Sequence, residues 1–294
     1  MTSSNPRSGH IVVGVDGSPS GEHAVLWAAD EAHLQHLPLT LVHTQRNVPA
    51  TELAWLSTAG ISPRRVDAES QAAAERVLQR ASSLAADRHP DVPLETVTGY
   101  GDARRQLLEM GHSAAMVVVG TRGHGPVVGL LLGSVSAALV RHSDVPVAVV
   151  RPPEPEAQGL VIAADGSEAS LPVVEQAFRE ASSRNLSLTV AHCLWDGLLA
   201  QTRWVAVSSS DPYGEKAYRQ ISESIAGMAD KFPDVPLDIK IARGAIDAFV
   251  VDMSQRYELL VIGRPPLSLG QRLTLSGLTT SIAEHAHSPV LVVP

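Results

Sequence analysis

The sequence predicts a tandem of two α/β domains, residues 1–153 and 154–294, each a parallel sheet with helices on both faces, and three observations carry that prediction. Short apolar runs alternate with amphipathic stretches of helical length, the pattern of βαβ units. The alternation stops at Arg151-Pro-Pro-Glu-Pro-Glu-Ala-Gln158, where three prolines can continue neither element. Beyond that linker the pattern starts again in register. Leu160-Val-Ile-Ala-Ala-Asp165-Gly-Ser167 repeats Val12 to Ser18, Asp165 stands 149 positions after Asp16, and His192 stands 149 after His43. Near the end, Ser288-Pro289-Val290 loosely repeats the segment around Pro146, now 143 positions on. Three matches in one element order identify an internal duplication.

In the first half, His10-Ile-Val-Val-Gly-Val-Asp16 is an apolar strand closing on an acid. Ser18 as N-cap and Pro19 at the first helical position open a helix, and Ala24, Ala28 and Ala32 give it a small-residue face that can lie close to a sheet. Leu39 to His43 is the second strand. Thr44 to Arg64 shows no period, so it is expected to be a long functional or mobile loop. From Arg65 to His89 a helical stripe of Ala73, Val77, Ala81 and Leu84 returns. Val92–Thr98 is the third strand, and Ala103–His112 a helix with Leu107 and Leu108 inward. Ala115–Val119 is the fourth strand, a helix carries Val135, Ala138 and Leu139 to His142, and Pro146–Val150 is the fifth strand.

With 294 residues, 44% of them hydrophobic, the chain can build two ordinary cores. A net charge of −8 and no basic cluster argue against nucleic acid or an anionic membrane as partner. No run of 18 apolar residues and no signal peptide can be found, so the expected location is the cytoplasm. The single cysteine, Cys193, excludes an internal disulfide and reads as a small apolar filler.

Between the fourth strand and the next helix lies Gly120-Thr-Arg-Gly123-His-Gly125-Pro-Val-Val-Gly129-Leu-Leu-Leu-Gly133-Ser134-Val135-Ser136. Glycine content alone fits an ordinary surface loop. A glycine-rich chain ending at a helix start, with Ser134 expected as its N-cap, also offers inward N–H groups to a phosphate. In open α/β sheets ligands lie beyond the carboxyl ends of strands, where Asp16 and Gly120 would face each other if strands one and four are neighbours. Asp16 is costly to bury without a partner, and either a ligand or the next helix can supply one. Arg122 and His124 read equally as solvated loop residues or as extra phosphate contacts. A Walker A loop is absent, because the only lysines are Lys216, Lys231 and Lys240 and none follows a glycine. The dinucleotide fingerprint fails at its last glycine, and neither Gly-x-Ser-x-Gly nor His-Glu-x-x-His occurs.

The spacing Gly120-x2-Gly123-x9-Gly133-Ser134, with Val-Gly14-Val15-Asp16 closing strand one and His43 closing strand two, resembles the ATP-binding pattern of the universal stress protein family. The resemblance covers the whole chain as a tandem of two such domains. It implies a flavodoxin-like fold of the adenine nucleotide alpha hydrolase type, with a five-stranded parallel sheet in the order 3-2-1-4-5. It also implies ATP at the ends of strands one and four. Carried over to this sequence, the main chain at Val15, Asp16 and Thr44 would recognise adenine and Gly120 would meet the ribose, with Gly14 also in the site. Gly123, Gly133, Ser134, Val135 and Ser136 would hold the phosphates, with Mg²⁺ bridging them and Arg122 able to add charge. The family also implies edge-to-edge pairing of the two final strands, Pro146–Val150 with Pro289–Val293, and a homodimer.

The second half departs from the pattern. The 143 offset places Gly263, Pro266, Ser276 and Gly277 where Gly120, Gly123, Gly133 and Ser134 stand. Pro265 and Pro266 remove two N–H donors, so the same cradle is not expected, although a shift of one residue would make Gly277-x-Thr279 a helix cap. One ATP per chain is therefore expected. His33 and His36 lie three apart on one helix with no acid or cysteine at ligand spacing, and His285 and His287 do not share a face, so no zinc site is expected. Trp55 and Trp195, in the loops after each second strand, are candidates for a contact surface. No general base or positioned lysine supports phosphoryl transfer. An ATP-binding regulator with an unidentified protein partner is thus preferred over a slow ATPase, a nucleotidyl-transfer enzyme or a non-nucleotide scaffold.

Overall fold

A computed structural model describes residues 9–45, 49–59, 61–122, 132–196, 204–208, 211–264 and 275–294. The chain divides into two compact units, Met1–Val145 and Pro146–Pro294.

The first unit contains β1 (Ile11–Gly14), α1 (Pro19–Gln35), β2 (Leu39–Gln45), α2 (Ala50–Thr58), α3 (Pro63–Arg88), β3 (Leu94–Tyr100), α4 (Ala103–Gly111), β4 (Met116–Gly120) and α5 (Ser134–His142). Its strands are parallel in the order β3-β2-β1-β4, with Ile11 opposite both Leu39 and Met116. Side chains on both faces of β1 and β4 are covered, and Ile11, Val12, Val13, Val117 and Val118 are fully buried. Each large aliphatic side chain so buried contributes about 1.5–3 kcal/mol, which explains why these runs are uniformly apolar rather than alternating. The start of α1 is as expected: Ser18 Oγ accepts from Gly21 N–H at 3.1 Å, Pro19 opens the helix, and Ala24, Ala28 and Ala32 are fully buried.

Several expectations change. The stretch without a period contains the helix α2. The buried stripe of α3 is Ala74, Leu78, Ala81 and Ala85, turned by one residue from the predicted one. Gly133, not Ser134, is the N-cap of α5.

The second unit contains β5 (Val147–Val150), β6 (Leu160–Ala163), a short 3-10 turn (Glu168–Ser170), α6 (Leu171–Arg184), β7 (Leu188–Trp195), β8 (Trp204–Ala206), α7 (Pro212–Lys231), β9 (Leu237–Gly244), α8 (Ile246–Met253), β10 (Leu259–Gly263), α9 (Leu275–His285) and β11 (Val290–Val293). Its sheet runs β5-β11-β10-β6-β7-β9-β8, so β9-β7-β6-β10-β11 reproduces the expected 3-2-1-4-5 order in parallel. The sheet is mixed rather than purely parallel. β8 adds antiparallel to β9, and β5 pairs antiparallel with β11, Val149 opposite Val290 and Val147 opposite Val292. This is the pairing of final strands that the resemblance implied, and it covers an apolar edge that would otherwise be open.

Candidate functional site

The carboxyl ends of β1 and β4 border a cavity of about 280 Å³. Gly14, Val15, Asp16, Thr44, Gly120, Arg122, Gly133, Ser134, Val135 and Ser136 all line it, joined by His43, Ala103 and Leu107. Gly123 falls outside the described residues, as do His124, Gly125 and Gly129.

Two loops shape the cavity. After β1, Gly17 adopts φ 80°, and the chain folds back so that Asp16 Oδ1 accepts from both Ser18 N–H at 3.0 Å and Ser18 Oγ at 2.6 Å. Asp16 therefore belongs to the turn that starts α1, so the position rewards an acid even before any ligand is considered. His43 Nδ1 donates to the Val15 carbonyl at 2.8 Å, which ties the end of β2 to that of β1 and fixes the direction of the Val15 peptide. Thr44 Oγ1 donates to Gln106 Oε1 at 3.4 Å.

On the β4 side, Gly120 owes its place to close approach rather than to a positive φ. A Cβ there would lie 2.4 Å from Ser20 Oγ, 2.6 Å from Ser20 O and 2.7 Å from Ser20 C, so the first turn of α1 sits directly against it. Ser136 Oγ, buried, donates to the Gly120 carbonyl at 2.7 Å, and Gly133 N–H donates to Thr121 O at 2.7 Å. These bonds bring the start of α5 beside the end of β4. Gly133 has no side chain to cap α5 (φ −72°, ψ 158°), so the helix presents its first N–H groups to the cavity without a side-chain acceptor. A helix N-terminus in that condition carries partial positive charge and favours an anion.

No motif in the sequence marks Ser20. Its Oγ shares a hydrogen bond with Thr121 Oγ1 at 3.3 Å and accepts from Arg122 N–H at 3.4 Å, so it joins the two loops. The available signal was a small polar residue in the first turn after a Ser-Pro start, opposite a strand-ending glycine.

The second unit keeps a cavity of about 330 Å³ in the corresponding place. Asp165 Oδ1 accepts from Ser167 N–H and Oγ, His192 Nδ1 donates to Ala164 O at 2.9 Å, and Thr279 Oγ1 donates to Gly263 O at 3.4 Å. Burial by itself raises the Asp165 carboxyl, but the hydrogen bonds from Ser167 outweigh it and hold the group below its ordinary value. The cavity lining is apolar to a similar degree as in the first unit, with Val173, Ile246, Ile262, Leu278 and Ile282 among the residues, and Cys193 takes the place of Thr44. Gly277 and Thr279 lie within α9 rather than capping it. Pro265 and Pro266 fall outside the described residues. Trp55 and Trp195 are both largely exposed, at 68% and 78%. No helix among the described residues is long and apolar enough to cross a membrane.

Comparison with known proteins agrees with this duplicated architecture. The profile of the Universal stress protein family matches residues 8–151 and again residues 158–294. The universal stress protein Rv2623 of Mycobacterium tuberculosis is 31% identical over 299 residues, covering 99% of this chain and 98% of that protein. Rv2005c of the same organism is 30% identical over 297 residues, covering 98% of each. Among solved structures, a universal stress protein from Archaeoglobus fulgidus shares the fold with a TM-score of 0.69 at 16% identity, covering 98% of this chain and 97% of that one. The chain belongs to the universal stress protein family and carries two of its domains in tandem.

Proposed function

We propose that the first repeat, residues 1–153, binds ATP with Mg²⁺, and that the protein acts as a cytoplasmic, nucleotide-dependent regulator of a partner protein, working as a homodimer. The observation that carries this reading is the start of α5, whose first N–H groups have no side-chain cap and border the same cavity as Asp16 and Gly120. Adenine would lie between the Val15–Asp16 and Thr44 main chains, where His43 fixes the Val15 peptide. The Gly120 main chain would face the ribose. The N–H groups of Ser134, Val135 and Ser136 would hold the phosphates, with Gly133, whose own N–H goes to Thr121 O, beside them and Arg122 at the rim. The cavity is a little below the roughly 300–1,000 Å³ usual for small-molecule sites, which suits a nucleoside held inside with its phosphates reaching the helix start. Mg²⁺ would be held mainly by the phosphates and would supply charge neutralisation. In the second repeat Pro265 and Pro266, which have no N–H to donate, support one ATP per chain.

Titration calorimetry with Mg·ATP tests this on the parent chain and on Ser134→Glu. An acid in the first turn of a helix is stabilising, so Ser134→Glu keeps the fold while repelling a phosphate at that point. The expected result is one site per chain, weakened at least tenfold for ATP but much less for adenosine. Two equivalent sites, or equal losses for ATP and adenosine, would contradict the reading.

A further inference from the structure

At the opposite end of the first unit's sheet, His33 closes α1, His89 ends α3, and Asp91 lies in the turn that leads to β3. One possible ligand atom from each lies within 4.8 Å of the others. We propose that these three residues form a binding site for a transition-metal dication of the Zn²⁺ class, clamping α1 to the α3–β3 turn.

The donor set is the first argument. Two imidazole nitrogens and one carboxylate oxygen suit borderline dications, whereas Mg²⁺ and Ca²⁺ favour all-oxygen sites. The second argument is how the rings are held. His33 Nδ1 is 2.9 Å from Asp91 Oδ2, while His89 Nε2 is 2.8 Å from Asp30 Oδ1. Asp30 is in turn gripped by Arg88, through Nε at 2.7 Å and a terminal nitrogen at 3.1 Å. At His89 the bond to Asp30 leaves Nδ1 available to a metal, with Asp30 as the outer-sphere carboxylate usual at metal-bound histidines, while His33 and Asp91 would exchange their mutual hydrogen bond for bonds to the ion.

Charge agrees with the donor set: the carboxylates of Asp30 and Asp91 flank the two rings, and a dication between them would balance that negative charge. The two rings are stacked, and stacked rings do not aim their in-plane lone pairs at one ion, so binding requires the exposed His33 ring to swing out of the stack. Bonds of about 2.0–2.1 Å in a tetrahedral site put ligand atoms about 3.3 Å apart, and His33 and Asp91, with side chains 43% and 63% exposed, are free to close that gap. Water would fill the remaining position. The site lies at the strands' amino ends, away from the cavity at the carboxyl ends of β1 and β4, and it does not depend on the nucleotide reading.

The test is titration of the tag-free, EDTA-stripped full chain with Zn²⁺, and with Co²⁺ for the intense visible absorption of a tetrahedral site. One ion per chain is expected, at least tenfold weaker in His33→Gln and in Asp30→Asn, lost in the His33→Gln/His89→Gln double variant, and unchanged in His287→Gln. Imidazole NMR of the unaltered protein guards against misfolded variants. Zn²⁺ should move the ring signals of two of the twelve histidines. Absence of stoichiometric binding, binding that survives the double variant, or Zn²⁺-dependent shifts in other histidines would overturn the proposal.

Discussion

Replacing Gly120 with alanine should be the most damaging single-methyl change at the first site. The added Cβ would lie 2.4–2.7 Å from three atoms of Ser20, two of them the main-chain carbonyl carbon and oxygen. Carbon–oxygen contacts closer than about 3 Å are strongly repulsive, and a main-chain group cannot swing away as a side chain can. The first turn of α1 is also pinned by the Ser18 cap and by Pro19. Relief therefore requires α1 to move off β4, and overpacking of this kind costs about 1–3 kcal/mol. Two other glycines calibrate the argument. At Gly263 the nearest atom is Val173 Cγ2 at 2.7 Å, a side chain stiff at χ1 but able to yield, so Gly263→Ala should cost less. At Gly133 the nearest atom is Thr121 O at 3.3 Å and φ is −72°, so Gly133→Ala should cost about 1 kcal/mol or less. Urea unfolding reads the order directly. With m of about 2 kcal/mol/M, a loss of 2 kcal/mol moves the midpoint by about 1 M. A Gly120→Ala midpoint indistinguishable from the parent, or a larger shift for Gly133→Ala, would refute the steric account of Gly120.

Two further outcomes follow from the ionisable groups. Asp102 caps α4 through Arg104 N–H at 2.9 Å, and chiefly its side-chain bonds to Arg104 hold its carboxyl down to about 2. A folded-state pKa below the unfolded value stabilises the fold above about pH 4 and loses that contribution as pH falls through 2. Asp102→Ala should therefore cost about 1 kcal/mol at pH 7, mostly from the lost cap because the group is half exposed, and the cost should vanish near pH 2. A thermal melting deficit independent of pH would contradict it. Burial, with a smaller effect from Asp247, pushes the Cys193 thiol up to about 11, so at pH 8 it should react with a disulfide reagent far more slowly in the folded chain than in urea. Equal rates would show that the cavity of the second unit does not shield it.

Much of the site was legible because its chemistry is local in sequence. Ser18-Pro19 starts α1, Asp16 closes β1, and the glycines after β4 stand out through their resemblance to the family's pattern. The role of Asp16 was the ambiguous one, and its bonds to Ser18 show that helix-start chemistry by itself already satisfies one carboxylate oxygen. Along the sequence His33 has only His36 as a neighbour on its helix, whereas in the fold it stands beside His89 and Asp91, more than fifty residues away.

What the amino-acid sequence determined by itself was whatever a period or a cap encodes: the βαβ alternation, the duplication at offsets of 149 and 143, the start of α1, and the apolar strands buried on both sides. Only the tertiary structure decided which helix face turned inward on α3, where Gly133 stands relative to α5, why Gly120 tolerates no side chain, and that β8 and β5 make the sheet mixed. The physical reason is the same in each case. A stripe or a cap depends on neighbours three or four residues away, whereas a contact such as Gly120 with Ser20 or His33 with His89 depends on how closely α1 packs against β4 and α3. That closeness is set by the sum of all the side chains between them.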